Sequence, residues 1–439
     1  MEISMTVEQL LARVQAGELD TAFVEQCAYD AAELPMQHAR IEKLGKAFNE
    51  KYNPDGAANV MLFSVGGRSE ISGNHTDHNY GRVIAAAVSL DVLAIAAPTA
   101  DGVVRLQSAG FDYEDYVTPA DIEQPREDWQ FNSQALIAGM EKAFLDRGYK
   151  VGGFNAYTTS NVLRGSGLSS SAAFEVMIGN ILNYLYNDGK VSNVEIAKMA
   201  QFAENVYFGK PCGLMDQTAC AVGGFITIDF KDPKNPVIEP LAFDLTAAGY
   251  ALCITDTGGN HADLTPEYAA VPKEMKYIAE KLGVSVLRET TKEAVLAAYA
   301  NKQLGKYPDR AFLRAVHFFD ENERVGKQVD ALKAGDTDTF LRYAVESGLS
   351  SYRYLQNVYA AINPKEQGVS TALYLAEDWL KANCEKCAYR VHGGGFAGTM
   401  QAFVPLDKAQ AYKEYMEQYF GKGRVYLLRV RKAGATRLA

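Results

Sequence analysis

Apolar residues recur at helical spacing early in the chain, at Leu10, Leu11 and Val14 and again at Ile41, Leu44 and Phe48. That spacing gathers them on one face of a helix. The turn residues Asn53-Pro54-Asp55-Gly56 close this helical lead-in, residues 1–50. From residue 59 to about 116 the pattern changes to β-branched and apolar runs separated by Gly, Pro and Asp, which predicts strands over 60–65, 83–97 and 103–108. The run 83–97 reads as two buried strands. A helix is expected over 132–147, a strand over 154–159, and helices over 169–186 and 194–206, the first with Ala173, Met177, Ile181 and Leu185 in one stripe. Pro233, Pro236 and Pro240 precede renewed strand character at 251–255, which suggests a boundary between domains of 51–235 and 236–439. Helices are predicted over 266–282, 310–334, 338–359 and 367–382. The chain then ends as strand, Gly-rich turn, strand, helix, strand (388–391, 399–404, 408–420, 425–430), an α+β pattern with a small terminal sheet.

Composition narrows the function. With 439 residues, 48% hydrophobic and 22% charged, the chain is a packed, water-soluble protein of two or three domains. Its 44 basic and 54 acidic residues give a net charge of −10, so neither nucleic acid nor an anionic membrane is a suitable partner. Any phosphate site must be local, made of backbone N–H groups and a few placed cations. The amino terminus lacks the basic and apolar regions of a secretion signal, and cytoplasmic residence is expected. The 83–97 run carries Ser89 and Asp91 and stops at Pro98, too polar and short for a membrane span. Six cysteines form no disulfide framework, and the pair Cys384 and Cys387, with no second pair at zinc spacing, reads as buried structural thiols.

Four segments carry chemistry. Asn161-Val-Leu-Arg-Gly165-Ser166-Gly167-Leu168-Ser169-Ser170-Ser171 is a Gly-rich turn with several hydroxyls that runs into an amphipathic helix. Free N–H groups and the helix dipole make such a junction an anion site, although an ordinary Ser-capped helix has the same look. It is no Walker loop, since no Gly-Lys-Ser/Thr occurs anywhere. His392-Gly-Gly-Gly-Phe-Ala-Gly398 matches G-x-G-x-x-G, but strand character follows it, so a tight inter-strand turn or a loop closing on a ligand is the reading. Gly67-Arg68-Ser-Glu70-Ile-Ser-Gly73-Asn74-His75-Thr-Asp77-His78 concentrates donors and acceptors that a polyhydroxylated ligand needs, or forms a solvated loop between two strands. Glu204 and Asp216, the latter in Cys212-Gly-Leu-Met-Asp216-Gln217, offer a metal ligand and a general base.

In this order the four segments resemble the galactokinases, within the galacto-, homoserine, mevalonate and phosphomevalonate (GHMP) kinase superfamily, over about residues 40–430. His317, Glu321 and Arg324 also look like part of a galactokinase helix. The resemblance implies an α+β two-domain fold, with a ribosomal-protein-like mixed α/β amino-terminal domain packed on a ferredoxin-like α+β carboxyl-terminal domain and the active site between them. It implies an ATP-dependent sugar-1-kinase that makes galactose 1-phosphate. Gly165, Ser166, Gly167, Leu168, Ser169, Ser170 and Ser171 would wrap the ATP phosphates, and Ser171 and Glu204 would hold Mg2+. Asp216 would take the proton from the anomeric hydroxyl beside Arg68, with Asn74, His75, Asp77 and Tyr268 around the sugar. The partner is then a small-molecule sugar, and a monomer is expected. A related sugar such as galacturonate, or a non-catalytic galactose and ATP sensor, is the alternative.

Three departures accompany the resemblance. Gly66-Gly67-Arg68 replaces the common Pro-Gly-Arg, and Tyr268 is followed by Ala-Ala-Val-Pro-Lys273 rather than a pair of arginines. Asn74 stands where galactokinases carry a Glu that contacts the sugar, so the identity of the sugar turns on this residue.

Overall fold

The structure is a computed structural model, and it describes residues 5–162, 167–210, 212–259, 264–306 and 308–439. Its strands are β1 (Met61–Ser72), β2 (Arg82–Pro98), β3 (Val104–Ser108), β4 (Glu114–Val117), β5 (Phe154–Ser160), β6 (Phe225–Asp229), β7 (Val237–Leu241), β8 (Tyr250–Asp256), β9 (Ala388–Val391), β10 (Thr399–Pro405), β11 (Val425–Leu428) and β12 (Thr436–Arg437). An 8-stranded sheet runs β12-β1-β2-β5-β3-β4, with β6 on β2 and β7 on β6; a 4-stranded sheet runs β11-β8-β10-β9. Among the described residues only β3 and β5 pair in parallel, so the large sheet is mixed and the small one antiparallel. Beyond residue 235, β7 and β12 still belong to the larger sheet.

Alternation along the central strands sorts the core into two layers. Val92, Ala94 and Ala96 face one cluster, while Leu93, Ile95 and Ala97 face another, as a period of two requires. The second face is covered by the lead-in helices Val7–Gln15, Asp20–Glu25 and Leu34–Tyr52, which bury Leu10, Phe23, Ile41 and Phe48 against it. The lead-in is therefore integral to the fold, each buried apolar side chain contributing roughly 1.5–3 kcal/mol. Helices Ser133–Asp146, Ser170–Tyr186, Asn193–Phe202 and Met215–Val222 cover the opposite face.

Several expectations are corrected. The run 83–97 lies within one strand of 17 residues, Arg82–Pro98, rather than two. It survives its polar centre because Asp91, fully buried, accepts from Ser64 at 2.5 Å, Arg40 at 2.7 Å and Tyr29. Residues 67–72 are no solvated loop: β1 continues through them, buried, with irregularities at Gly66/Arg68 and Glu70/Ser72. The helix expected over 338–359 ends at Ser350 in a π turn, Ser351–Leu355, closed by Gln356 at φ 59°. The helix expected over 194–206 likewise passes at Ala203 into a π segment, Ala203–Phe208, a distortion that often accompanies a site. Cys384 and Cys387 are half-buried free thiols rather than buried ones.

Candidate active site

The site forms where β1 meets the Ser-rich turn. Arg68 donates its backbone N–H to Leu168 O at 3.0 Å, so strand and turn lie in direct contact. A Cβ at Gly67 would stand 2.7 Å from Leu168 O and 2.9 Å from Val162 Cγ1, and only glycine permits this approach. The Arg68 guanidinium, 8% exposed, grips Asp216 with two bonds, Nε to Oδ1 at 2.8 Å and Nη2 to Oδ2 at 2.7 Å, and also donates from Nη1 to Gly167 O. Asp216 sits in the first turn of Met215–Val222 and is 34% exposed, so its carboxylate faces the cleft while held in a bidentate pair. Burial works against Arg68's charge, but the Asp216 carboxylate more than offsets it and raises the Arg68 pKa.

Ser169 adds a third hold on Asp216 by donating its hydroxyl to Oδ2. It occupies the N-cap position of Ser170–Tyr186 in the left-handed region, φ 56°, and its side chain makes no capping bond. The plain Ser-capped helix is thus not what the structure contains. The first turn of this 17-residue helix therefore receives no side-chain cap from Ser169, and uncapped N–H groups at a helix start can bind an anion. Ser170 and Ser171 open onto a cavity of about 590 Å3 that Phe131, Thr159, Phe174 and Phe208 also line. Sequence reasoning missed these aromatic walls, and no local pattern marks them: Phe131 is 63% exposed, while Phe174 and Phe208 are half-buried. Leu168 is buried and Gly167 exposed, while Gly165 and Ser166 lie outside the described residues.

Behind Asp216 lies an acidic cluster. Glu204 accepts from Lys210 Nζ at 3.0 Å and from Gln217 Nε2 at 2.7 Å, and Gln217 also donates to Glu175 at 3.2 Å. Ser171 and Glu175 share a helix face one turn apart. Glu175 Oε1 is buried with no hydrogen-bond partner among the described residues. Burial, then the Glu204 charge, holds Glu175 well above the carboxylate range. Of the two residues expected to hold Mg2+, Ser171 opens onto the cavity, while Glu204 has Oε1 engaged by Lys210 and Oε2 by Gln217; a hydroxyl and carboxylates are the donor types a hard divalent cation takes. Among the described residues no group of three His, Cys, Asp or Glu could hold a metal; phosphate oxygens and water would supply the other ligands.

The opposite wall is built by the turn between β9 and β10. His75 Nε2 lies 3.0 Å from Gly394 O, and Tyr268 donates to Gly395 O at 2.8 Å. The glycine segment therefore joins two strands and closes on the predicted sugar-side residues. Asp77 approaches Gly213 so closely that a Cβ there would lie 2.7 Å from Oδ2. Asn74 departs from expectation. It is fully buried, donates to Glu70 Oε1 at 2.9 Å and Gly393 O at 2.6 Å, and accepts from Asn357 at 2.7 Å and Ser351 at 3.2 Å. Every amide donor and lone pair is used by protein, leaving none for a ligand. His317 supports the same turn, its Nε2 3.0 Å from Asn74 O, and Glu321 accepts from Gly73 N–H at 3.1 Å. Burial depresses His317 to about 4 and, with Arg68 and Arg390 nearby, His392 to about 3, so both rings are neutral at physiological pH. A second cavity, about 340 Å3 between Tyr352, Tyr374 and Tyr389, includes none of the predicted site residues.

The chain matches the family described as GHMP kinases N terminal domain over residues 135–224 and the galactokinase galactose-binding signature over 46–98. It is 32% identical over 413 residues to the galactokinase of Streptomyces coelicolor, covering 92% of this chain and 100% of the relative. The Clostridium tetani galactokinase is 28% identical over 387 residues, 87% of this chain and 93% of the relative. Among solved structures, Lactococcus lactis galactokinase complexed with galactose has a TM-score of 0.75 at 22% identity, covering 89% of this chain and 98% of that one. Methanococcus jannaschii mevalonate kinase has a TM-score of 0.60 at 14% identity, covering 86% and 99%. The two-domain fold expected from the sequence is that of these kinases.

Proposed function

The chain belongs to the galactokinase family, and from that premise we propose how its own residues carry out the reaction. The protein catalyses ATP-dependent phosphorylation of galactose. We assign Asp216 as the base that accepts the proton of the anomeric hydroxyl as that oxygen forms its bond to the γ-phosphorus and the bond to the β-phosphate oxygen breaks. Arg68 orients Asp216 through its two bonds and places positive charge where the transferred group gathers negative charge. The open first turn of Ser170–Tyr186 takes the phosphates, and the 590 Å3 cavity beside Ser171 has the size and aromatic lining for the nucleotide base. Ser171 and Glu204 would hold Mg2+, which when bound neutralises phosphate charge. Asp77, His75 and Tyr268 border the sugar.

The observation that carries this reading is the Arg68–Asp216 bidentate pair, joined by Ser169 at the mouth of a helix without a side-chain cap. A cation, a partly exposed carboxylate and an anion site converge, and phosphoryl transfer requires little more than this alignment. The test is ADP release against a panel of sugars with ATP and Mg2+. Galactose should give the highest kcat/KM; turnover confined to galacturonate or to no sugar would contradict the assignment.

A further inference from the structure

The resemblance places a sugar-contacting carboxylate at position 74, but Asn74 is saturated by protein. The carboxylate hydrogen-bonded to Asn74 is Glu70. It lies two residues after Arg68 on β1, on the same side of the pleat. Its side chain retains 8% exposure. Oε1 is pinned by Asn74 Nδ2 at 2.9 Å and Arg390 Nη2 at 3.3 Å. Oε2 has no hydrogen-bond partner among the described residues and is not one of the sealed, orphaned atoms. A nearly buried carboxylate with one oxygen anchored and the other open is a costly arrangement unless a donor completes it.

Resting on the kinase reading, we infer that Glu70 is the specificity-determining residue that accepts a hydrogen bond from a sugar hydroxyl, and that Asn74 is the positioning residue that aims it. Ser351, Asn357 and the Gly393 carbonyl lock the Asn74 amide, and Asn74 in turn fixes Oε1. Arg390, itself fully buried, also donates to Ile71 O at 2.7 Å, so its charge is committed to the strand and to Oε1. What reaches the ligand is a lone acceptor oxygen. It favours a neutral, hydroxyl-rich sugar and repels a uronate.

Glu70→Gln makes the test sharp. Asn74 and Arg390 both donate toward Oε1, so the amide oxygen must turn to them and its NH2 must replace Oε2, exchanging the acceptor for a donor. KM for galactose should rise about tenfold to a hundredfold, with kcat changed much less. The monodeoxy galactoses give the decisive readout. In the wild type one of them should lose about tenfold or more in kcat/KM, and in Glu70→Gln that same sugar should lose nothing further against galactose. Glu70→Asp, which keeps the charge beside Arg390 but retracts it by one methylene, should reproduce the loss of discrimination if the Gln variant does not fold. Equal discrimination among all deoxy sugars by wild type and variant, or an unchanged KM, would overturn the inference. Calorimetric galactose binding by wild type and variant reads the contact without turnover, so an enzyme that bound galactose through Glu70 but released no ADP would refute the kinase reading alone.

Discussion

Replacing Asp216 by Asn removes the proposed base while keeping shape. In the structure Asp216 takes two bonds from Arg68 and one from Ser169, and an amide keeps a single acceptor oxygen and turns an NH2 toward those donors. Loss of a positioned general base costs about 10²–10⁴ in kcat, equivalent to about 3–5 kcal/mol in barrier height. Stability should fall as well, because Arg68, 8% exposed, loses its counter-charge. Breaking a fully buried pair costs about 3–5 kcal/mol, but Asp216 is 34% exposed and solvent screens the pair, so roughly 1–3 kcal/mol is expected. Sugar KM should move only a few-fold, since Asp77, His75 and Tyr268 are untouched. Coupled ADP release gives kcat and KM, and urea unfolding gives the stability change. A variant destabilised as stated but with kcat within about threefold of wild type would refute the reasoning and leave the ion pair a purely structural one.

Gly67→Ala should push the Ser-rich turn off β1 through the 2.7 Å clash with Leu168 O, raising KM for ATP and lowering kcat at least about tenfold, as a displaced anion site requires; nucleotide titrations measure this. Ser171→Ala should raise the Mg2+ concentration needed for half-maximal rate several-fold, read from metal titrations at saturating ATP. Asn74→Glu would set a second carboxylate against Glu70 in a fully buried place, so chemical unfolding should show a loss of at least about 3 kcal/mol rather than a gain in galactose selectivity. Burial alone pushes Glu141 up to about 8 from 4.5. Its folded form therefore retains a proton that the unfolded form gives up, and its contribution is complete below about 4.5 and lost as pH rises through about 8, at up to about 1.4 kcal/mol per pH unit. Glu141→Gln should remove that slope from the difference between wild-type and variant unfolding curves.

Much of this was legible in the chain, for reasons that differ from residue to residue. Alternation located the strands, and the hydroxyl-rich turn before Ala173, Met177 and Ile181 located the start of the helix Ser170–Tyr186, because both signals are local. The length of β2 was hidden because Ser89 and Asp91 look like breakers; the arginine that makes Asp91 tolerable, Arg40, lies 51 residues away. Asn74 was misjudged for the same reason. Its partners Ser351, Asn357 and Gly393 stand 277, 283 and 319 residues distant, and no spacing rule reveals that they exhaust its amide. Glu70 was visible two positions after Arg68, but its role depended on knowing which of its oxygens the fold had already engaged. The aromatic walls of the 590 Å3 cavity come from separate elements, with Phe131 after a turn, Phe174 on a helix and Phe208 at the end of a π segment, so no single window contained them.

The most direct test of the central claim is the position of the phosphate in the product. Wild-type protein incubated with galactose, ATP and Mg2+ and followed by phosphorus and proton NMR should show one phosphate coupled to the anomeric proton, with the signal absent over the same interval for Asp216→Asn. A phosphate at any other carbon, or an anomeric phosphate formed equally fast by the Asn variant, would contradict the account.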